Sequence, residues 1–553
     1  MRGTMMDFPL TLPHLLDRAG FLFARSEMVS RCPRGTLTRT TYADFHRRAR
    51  RAASALTRLG LQPGDRVSTM MWTHATHMHL FFGIPCAGGI INPLNLRLHA
   101  QELAAIVRHA GSRFLIVDDA LLPVYEALRA AGASFEKVIV NRYAGSEIPV
   151  SVSVSAGFLD YDELIAGEGD DFVYPKLDEN DGASMFFTSG TTGASKAVVY
   201  SHRSLVLHGL TLTMADCFAL SHNDVILPVV PLFHANGWGF SHAAAITGAK
   251  FVFLGPSLDP ETILDAIVEH GVTFAAGVPT IWLNVLCALE KYPDRWKFPP
   301  LRALCGGTAP PLGLIRGLDK RGIHIMHAWG MTETSPLATA PLVKAHMQEY
   351  DDDALYEVRA KQGLCVPLVE LRVMRPENPE DEDCAACVEA PRDGKTSGEL
   401  EIRGPWIAGS YYNAPDQAQR WTADGWFRTG DVAHMDEEGY IKIVDRAKDL
   451  VKSGGEWISS VDLENTLMGH PAVKEAAVIG VPHPKWQERP LAAVVLKDGA
   501  AVTAEELRAY LAKTFAKWQL PDAFVFMSEI PRTSVGKFKK TALREQFANW
   551  RWE

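Results

Sequence analysis

Cysteine is scarce in this sequence, and so are uninterrupted apolar stretches and any excess of positive charge. Eight cysteines in 553 residues are too few and too scattered for a disulfide framework, so reduced cytosolic thiols are expected. The one C-x-x-C, Cys384-Ala385-Ala386-Cys387, has no second pair nearby, and a zinc site is not expected from it. Lys and Arg number 56 against 65 Asp and Glu, a formal net charge of −9. That argues against nucleic acid or an anionic membrane as the main partner, but leaves room for locally bound phosphates. The most apolar window, Leu80 to Leu94, is broken by Pro85, Gly88, Gly89 and Pro93. It is too short to span a bilayer and is read as a buried helix running into a loop. Met1 to Leu10 lacks a basic region followed by an apolar core, so no secretory signal and a cytoplasmic location are expected.

What is present is a chain long enough for several domains, 47% hydrophobic and 22% charged, as in ordinary globular proteins. Phe45, Ala49, Ala52, Leu56 and Leu59 recur at helical spacing and Gly60 follows as a stop. Arg47, Arg48, Arg50 and Arg51 on that helix read as a solvated polar face. His74, His77 and His79 lack acidic or cysteine companions and read as a helix start near core or substrate. Short apolar strands at Arg66 to Met71, Phe114 to Val117 and Val138 to Val140 alternate with helical segments, which predicts parallel α/β sheets. The acidic stretch Glu168 to Asp181 reads as an exposed connector.

The centre of the sequence is Thr188-Ser189-Gly190-Thr191-Thr192-Gly193-Ala194-Ser195-Lys196, between the apolar runs Met185 to Phe187 and Ala197 to Tyr200. Strand, loop, strand is the expectation. Two glycines allow tight turns; five hydroxyls and one lysine could join backbone N–H groups around an anion. A Ser/Thr/Gly surface loop has the same composition. The glycine–lysine–Ser/Thr ending of a Walker loop is absent.

This stretch resembles the phosphate loop of the adenylate-forming enzymes, the superfamily of acyl-CoA synthetases, luciferases and peptide-synthetase adenylation domains. Ser195 stands where proline is common and Ala197 where glycine is common. Further matches follow in order and span most of the chain. Pro231 to Trp238 resembles the acid-binding segment, which implies substrate roles for His234 and Trp238, the latter like the gating tryptophan of fatty-acyl members. A core turn with a satisfied histidine remains the other reading of His234. Gly306-Gly307-Thr308 and Trp329-Gly330-Met331-Thr332-Glu333 resemble the adenine and α-phosphate motifs, with Glu333 implied as a Mg²⁺ ligand and Thr332 as a phosphate contact. Trp329 replaces the usual tyrosine; stacking survives that exchange and a phenol hydrogen bond does not.

The resemblance continues through Asp431 and Arg446, implied for ribose and phosphate, and Lys448 at the hinge. Lys452, Gly454, Gly455 and Trp457 match the loop that approaches CoA, and Lys537 matches the catalytic lysine of adenylation. The implied fold is α/β: a large N-terminal domain, 1–445, of two α/β subdomains plus a small β-barrel subdomain. It is hinged to a mobile, small α+β C-terminal domain, 446–553. The implied activity is ATP-, Mg²⁺- and CoA-dependent acyl-CoA synthesis through acyl-AMP, on medium-chain fatty acids. A CoA ligase for a small thioether or aryl acid, a free-standing adenylase loading a carrier protein, and a silent nucleotide-binding relative are the alternatives. The expected partners are a small carboxylic acid, ATP and CoA, with no nucleic acid and no membrane span; a homodimer stays open.

Overall fold

The computed structural model describes residues 1–145, 157–188, 195–377, 387–453, 456–533 and 537–552. Two seven-stranded sheets dominate the N-terminal part. In the first, strands Ile323–His327, Leu301–Cys305, Phe274–Gly277, Val225–Pro228, Lys250–Phe253 and Glu27–Arg31 run parallel in that order. Leu37–Thr41 closes it antiparallel. In the second, Leu159–Asp160, Lys137–Asn141, Ser112–Asp118, Arg66–Met70, Ile90–Pro93 and Gly182–Phe187 run parallel. Ala197–Ser201 pairs antiparallel with the last of these. The strands are near-continuous apolar runs such as Phe114 to Val117, all buried, as sheets covered on both faces require. The stretch expected as a helix and loop around Leu80 forms helix Ala75–Cys86 and then strand Ile90–Pro93.

Helix Tyr42–Arg58 begins at a capping box between Thr41 and Asp44, which satisfies two terminal N–H groups. Its arginines do more than face solvent. Arg50 donates to the carbonyls of Asp170 and Phe172, Arg51 pairs with Asp170 at 2.6 Å, and Arg58 with Glu168 at 2.7 Å. The acidic connector is thereby tied along the helix. His74 caps helix Ala75–Cys86, while His77 and His79 are buried in its core face.

The small β-barrel subdomain that the resemblance implies corresponds to a five-stranded antiparallel sheet: Cys387–Glu389, Glu370–Pro376, Gly398–Arg403, Phe427–Met435 and Ile441–Arg446. The turn Asp436 to Gly439 joins its last two strands. A bulge between Val432 and Ala433 shifts the last ladder, so that Ala433 lies opposite Ile443 but Asp431 opposite Arg446. The C-terminal part is a smaller α+β unit. Strands Val473–His483 and Gln487–Leu496 form its long ladder, and helices Ser460–Met468 and Ala504–Leu511 pack with it.

This unit is held to the five-stranded sheet beside Lys448. Ser459 Oγ donates to the Val444 carbonyl at 2.7 Å, and the Ser460 N–H donates to Asp445 at 2.8 Å. Lys442 pairs with Asp462 at 3.1 Å. Six described cysteines are free, but Cys387 is disulfide-bonded, which corrects the expectation of reduced thiols throughout; Cys384 lies outside the described residues. No helix among the described residues is long and apolar enough to cross a membrane.

The first sheet's core depends on Trp282, fully buried, whose indole N–H lies 3.2 Å from the carbonyls of Gly277 and Leu304. Trp282→Ala removes the ring and both hydrogen bonds and is expected to cost ~3–5 kcal/mol. A denaturant midpoint equal to the parent's would contradict this account of the core.

Candidate active site

The cleft forms where the carboxyl ends of several strands meet the C-terminal unit. Strand Leu301–Cys305 runs into Gly306 and Gly307. A Cβ at Gly306 would come within 3.2 Å of the Trp238 ring, so the indole lies directly on this backbone. Gly307 has φ +91, and a Cβ there would sit 3.4 Å from Cε of Lys537. Lys537, more than two hundred residues away in sequence, therefore rests over the Gly-Gly loop. Thr308 beside it is exposed. Trp238 is presented by an unusual turn: Asn236, Gly237 and Trp238 have φ of 61, 54 and 58. A non-glycine residue in that region costs of order 1–3 kcal/mol and persists only where its surroundings enforce it.

The stretch after strand Ile323–His327 supplies the next groups. Gly330 is tightly enclosed, since a Cβ would stand 1.7 Å from the Pro336 carbonyl oxygen. Trp329 donates its indole N–H to Asp431 at 3.0 Å, and Arg446 pairs with the other Asp431 oxygen at 2.6 Å. The tryptophan thus replaces a phenol's hydrogen bond with one of its own, a contact the sequence reading did not anticipate. The Thr332 carbonyl accepts from the Tyr200 hydroxyl at 2.6 Å. Glu333 is buried, and its Oε1 accepts from the Tyr411 hydroxyl at 2.5 Å. Burial, with Glu333 adjacent, pushes the Tyr411 phenol well up, so it stays a donor.

At the base of the central loop the Thr188 N–H donates to the Lys196 carbonyl at 2.8 Å. Lys196 Nζ donates to Gln417 and stands 5.2 Å over the Tyr411 ring. Tyr411 therefore joins Lys196 to Glu333. Ser189, Gly190, Thr191, Thr192, Gly193, Gly454 and Gly455 lie outside the described residues.

Burial lowers Lys537 to about 8, and nearby Arg446 adds to that; Asp431 and Glu333 act in the opposite direction. Burial also lowers His234 to about 3, with Lys537 and Arg97 contributing, so His234 is neutral and close to the same lysine. One cleft thus collects His234, Trp238, Gly306, Gly307, Trp329, Glu333, Asp431, Arg446 and Lys537. Lys452 and Trp457 lie further along the chain than Arg446. They pair across the ribbon Val451–Ser453 and Glu456–Ile458 in the C-terminal unit, where the Lys452 N–H donates to Glu488 at 3.0 Å. Lys448 is exposed between the sheet and this ribbon. The sequence reading missed Tyr411, Gln417 and Arg97. Tyr411 lies 78 residues from its partner Glu333, outside every contiguous motif, and Arg97 sits in a loop given no chemistry.

The comparisons agree with this geometry. A family model described as AMP-binding enzyme matches residues 24–412, and one described as AMP-binding enzyme C-terminal domain matches 462–537. The chain belongs to the AMP-binding enzymes, and its chemistry is the ATP-dependent acid–thiol ligase chemistry of the adenylate-forming superfamily. A long-chain-fatty-acid–CoA ligase of Thermus thermophilus is 47% identical over 551 residues, covering 99% of this chain and 97% of that protein. A 3-methylmercaptopropionyl-CoA ligase of Ruegeria lacuscaerulensis is 40% identical over 551 residues, covering 99% of each. The crystal structure of ATP-bound MatB from Rhodopseudomonas palustris matches with a TM-score of 0.79 at 26% identity, covering 98% of this chain and 99% of that one.

Because Lys537 stands near 8 in the folded chain against an ordinary 10.5, it is charged below pH about 8 and neutral above. The unfolded chain holds that proton up to its higher value, so this group's contribution to stability rises with pH between the two. Acid-dependent pyrophosphate exchange is expected to fall along a one-proton limb near pH 8. Arg446→Gln should move the limb upward. A profile flat through pH 10 would remove the charged lysine from the reaction.

Proposed function

We propose that this chain converts a medium-chain fatty acid to its CoA thioester. The acid attacks the α-phosphorus of ATP, giving acyl-AMP and pyrophosphate, and the CoA thiol then displaces AMP. The observation that carries this reading is the contact of Trp238 with Gly306 beside Lys537. A large apolar ring at that point suits the wall of a tunnel for an acyl chain. Asp431 is assigned to the ribose hydroxyls, as an acceptor with two oxygens. Trp329 is assigned to the adenine face, and Thr332 with the loop Thr188 to Lys196 to the phosphates. Lys537 and Arg446 are assigned to the negative charge that builds at phosphorus, where preorganised cations act most strongly.

The described residues hold no group of three or more potential metal ligands. Glu333, with Oε1 taken by Tyr411, fits a Mg²⁺ ion that arrives on the triphosphate, since Mg²⁺ is commonly held by one or two carboxylates plus substrate phosphates. Bound there, the ion would neutralise phosphate charge. For the second half-reaction we assign the 446–553 domain to a rotation about Lys448, exchanging Lys537 for the Gly454-Gly455 loop with Lys452 and Trp457.

A small thioether acid is the second reading, and two observations favour it. One is the 40% identity to a ligase named for such an acid. The other is a set of polar residues on the Trp238 turn and the helices next to it: Asn236, Ser241, His208 and His242 are all fully buried and each has an atom without a hydrogen-bond partner. A purely aliphatic tail would leave such groups unsatisfied.

The test is a panel of acids from 3-methylthiopropionate through dodecanoate, with AMP release followed with and without CoA. We expect CoA-dependent release and an optimum between six and ten carbons. Trp238→Ala should move it to longer chains, each added buried methylene being worth ~0.8 kcal/mol, with ATP affinity little changed. An optimum at the thioether acid would favour the second reading, and CoA-independent turnover would overturn both.

Tyr411→Phe removes the donor that orients Glu333. Loss of a group supporting a metal ligand typically costs ~10–100-fold in metal affinity. Half-saturating Mg²⁺ in pyrophosphate exchange should rise by about tenfold or more on that basis. An unchanged Mg²⁺ titration would detach Glu333 from the ion.

A further inference from the structure

A cavity that shares no residue with the cleft around Lys537 lies between strands Glu27–Arg31 and Leu37–Thr41 of the first sheet, helix Tyr42–Arg58 and the segments that follow strands of the second sheet. Its volume is about 580 Å³, within the range of small-molecule sites. Its place in the topology is informative. The chain passes from Arg66–Met70 to Ile90–Pro93 on one side and returns to Ser112–Asp118 on the other. The winding direction reverses between Arg66–Met70 and Ser112–Asp118, and open parallel sheets bind ligands outside the carboxyl ends of strands at such a point. His74, just after the first of these strands, meets Asp118 at the end of the other at 3.0 Å. The His74 ring stacks on Tyr143, centroids 4.0 Å apart, and both rings line the cavity.

Two kinds of group face this space. From helix Tyr42–Arg58 come Arg47, Arg48 and Arg51. Each is oriented by a carboxylate: Arg47 by Asp44, Arg48 by Asp162 at 2.5 Å, Arg51 by Asp170 at 2.6 Å. A guanidinium has five N–H donors, so such pairing fixes the fork and leaves donors over. The second kind is unsatisfied. His79 is 1% exposed, yet neither ring nitrogen has a hydrogen-bond partner, and neither does the buried Oγ1 of Thr40. Burial, with Arg48 nearby, keeps His79 neutral, so one nitrogen donates and the other accepts. An apolar core gains nothing from such groups. A ligand rich in hydroxyls would satisfy them.

We propose that this cavity is a second ligand site, independent of the ligase reaction, for a small hydroxylated phosphomonoester of the sugar-phosphate class. The arginines suit a phosphate dianion, which planar guanidinium forks recognise geometrically. His79, Thr40 and the carboxylates of Asp44 and Asp162 offer the alternating donors and acceptors that hydroxyls need. The stacked His74–Tyr143 pair gives a flat wall for the C–H face of a sugar ring.

The test is calorimetric titration of the full chain with glucose 6-phosphate, in saturating AMP to occupy the ligase cleft, with glucose and inorganic phosphate as controls. One equivalent of glucose 6-phosphate should bind per chain, more tightly than either control. The Arg47→Gln/Arg51→Gln variant should weaken binding by about tenfold or more, since a hydrogen bond to a charged group is worth at least that. Ala166→Trp narrows the mouth without altering any charge and should abolish binding. Pyrophosphate exchange, unchanged in both variants, reports that each is folded; should the double arginine variant fail this check, Ala166→Trp decides alone. Absence of binding at millimolar sugar phosphate, equal binding of inorganic phosphate, or binding unaffected by the variants would overturn the proposal.

Discussion

The arrangement of the cleft depends on one buried carboxylate that is claimed from two sides. Asp431 accepts from the indole of Trp329 and from the guanidinium of Arg446; Asp431 and Arg446 face each other across one hairpin, while Trp329 comes from a distant part of the chain. A buried carboxylate left without partners would be costly, so each donor is needed to keep the others where they are. Arg446 then acts a second time, since it is one of the charges that lower Lys537. A nucleotide that engages Asp431 would therefore alter, through Arg446, the field felt by the lysine across the cleft.

That network joins what would otherwise be loosely connected units. Lys537 reaches the Gly306-Gly307 loop of the first sheet, while Ser459 and Ser460 hold the C-terminal unit to Val444 and Asp445. The bonds made by Ser459 and Ser460 are polar. The α/β interior beneath is different in kind. Its strands are sealed on both faces by helices, and its large aromatic side chains, such as Trp282 and Phe186, are almost wholly buried.

Much of this was legible in the sequence wherever the signal was contiguous. The apolar run Phe114 to Val117 and the helix over Phe45 to Leu56 followed from periodicity. The motif around Glu333 and the residues Asp431, Arg446 and Lys537 were recognisable as an ordered series. What was not legible depends on tertiary contact. Tyr411 carries no local pattern that would announce its bond to Glu333. The arginines of helix Tyr42–Arg58 looked like a solvated face because their partners, Glu168 and Asp170, lie over a hundred residues away. Ile90 to Pro93 is too short to separate strand from loop by periodicity, and only pairing with Arg66–Met70 decides it.

The bulge in the five-stranded sheet carries a further meaning. Continued without interruption from the Ala433–Ile443 pair, the ladder would set Asp431 opposite Asp445, carboxylate facing carboxylate. The extra residue on the second strand advances the frame by one, so that Asp431 meets Arg446 and Asp445 is released to receive Ser460. One irregular step in a hairpin thus sorts two aspartates into different duties, one for the cleft and one for the joint beside it. The reading frame of that ladder, as much as the identity of either aspartate, is what selection would have to preserve.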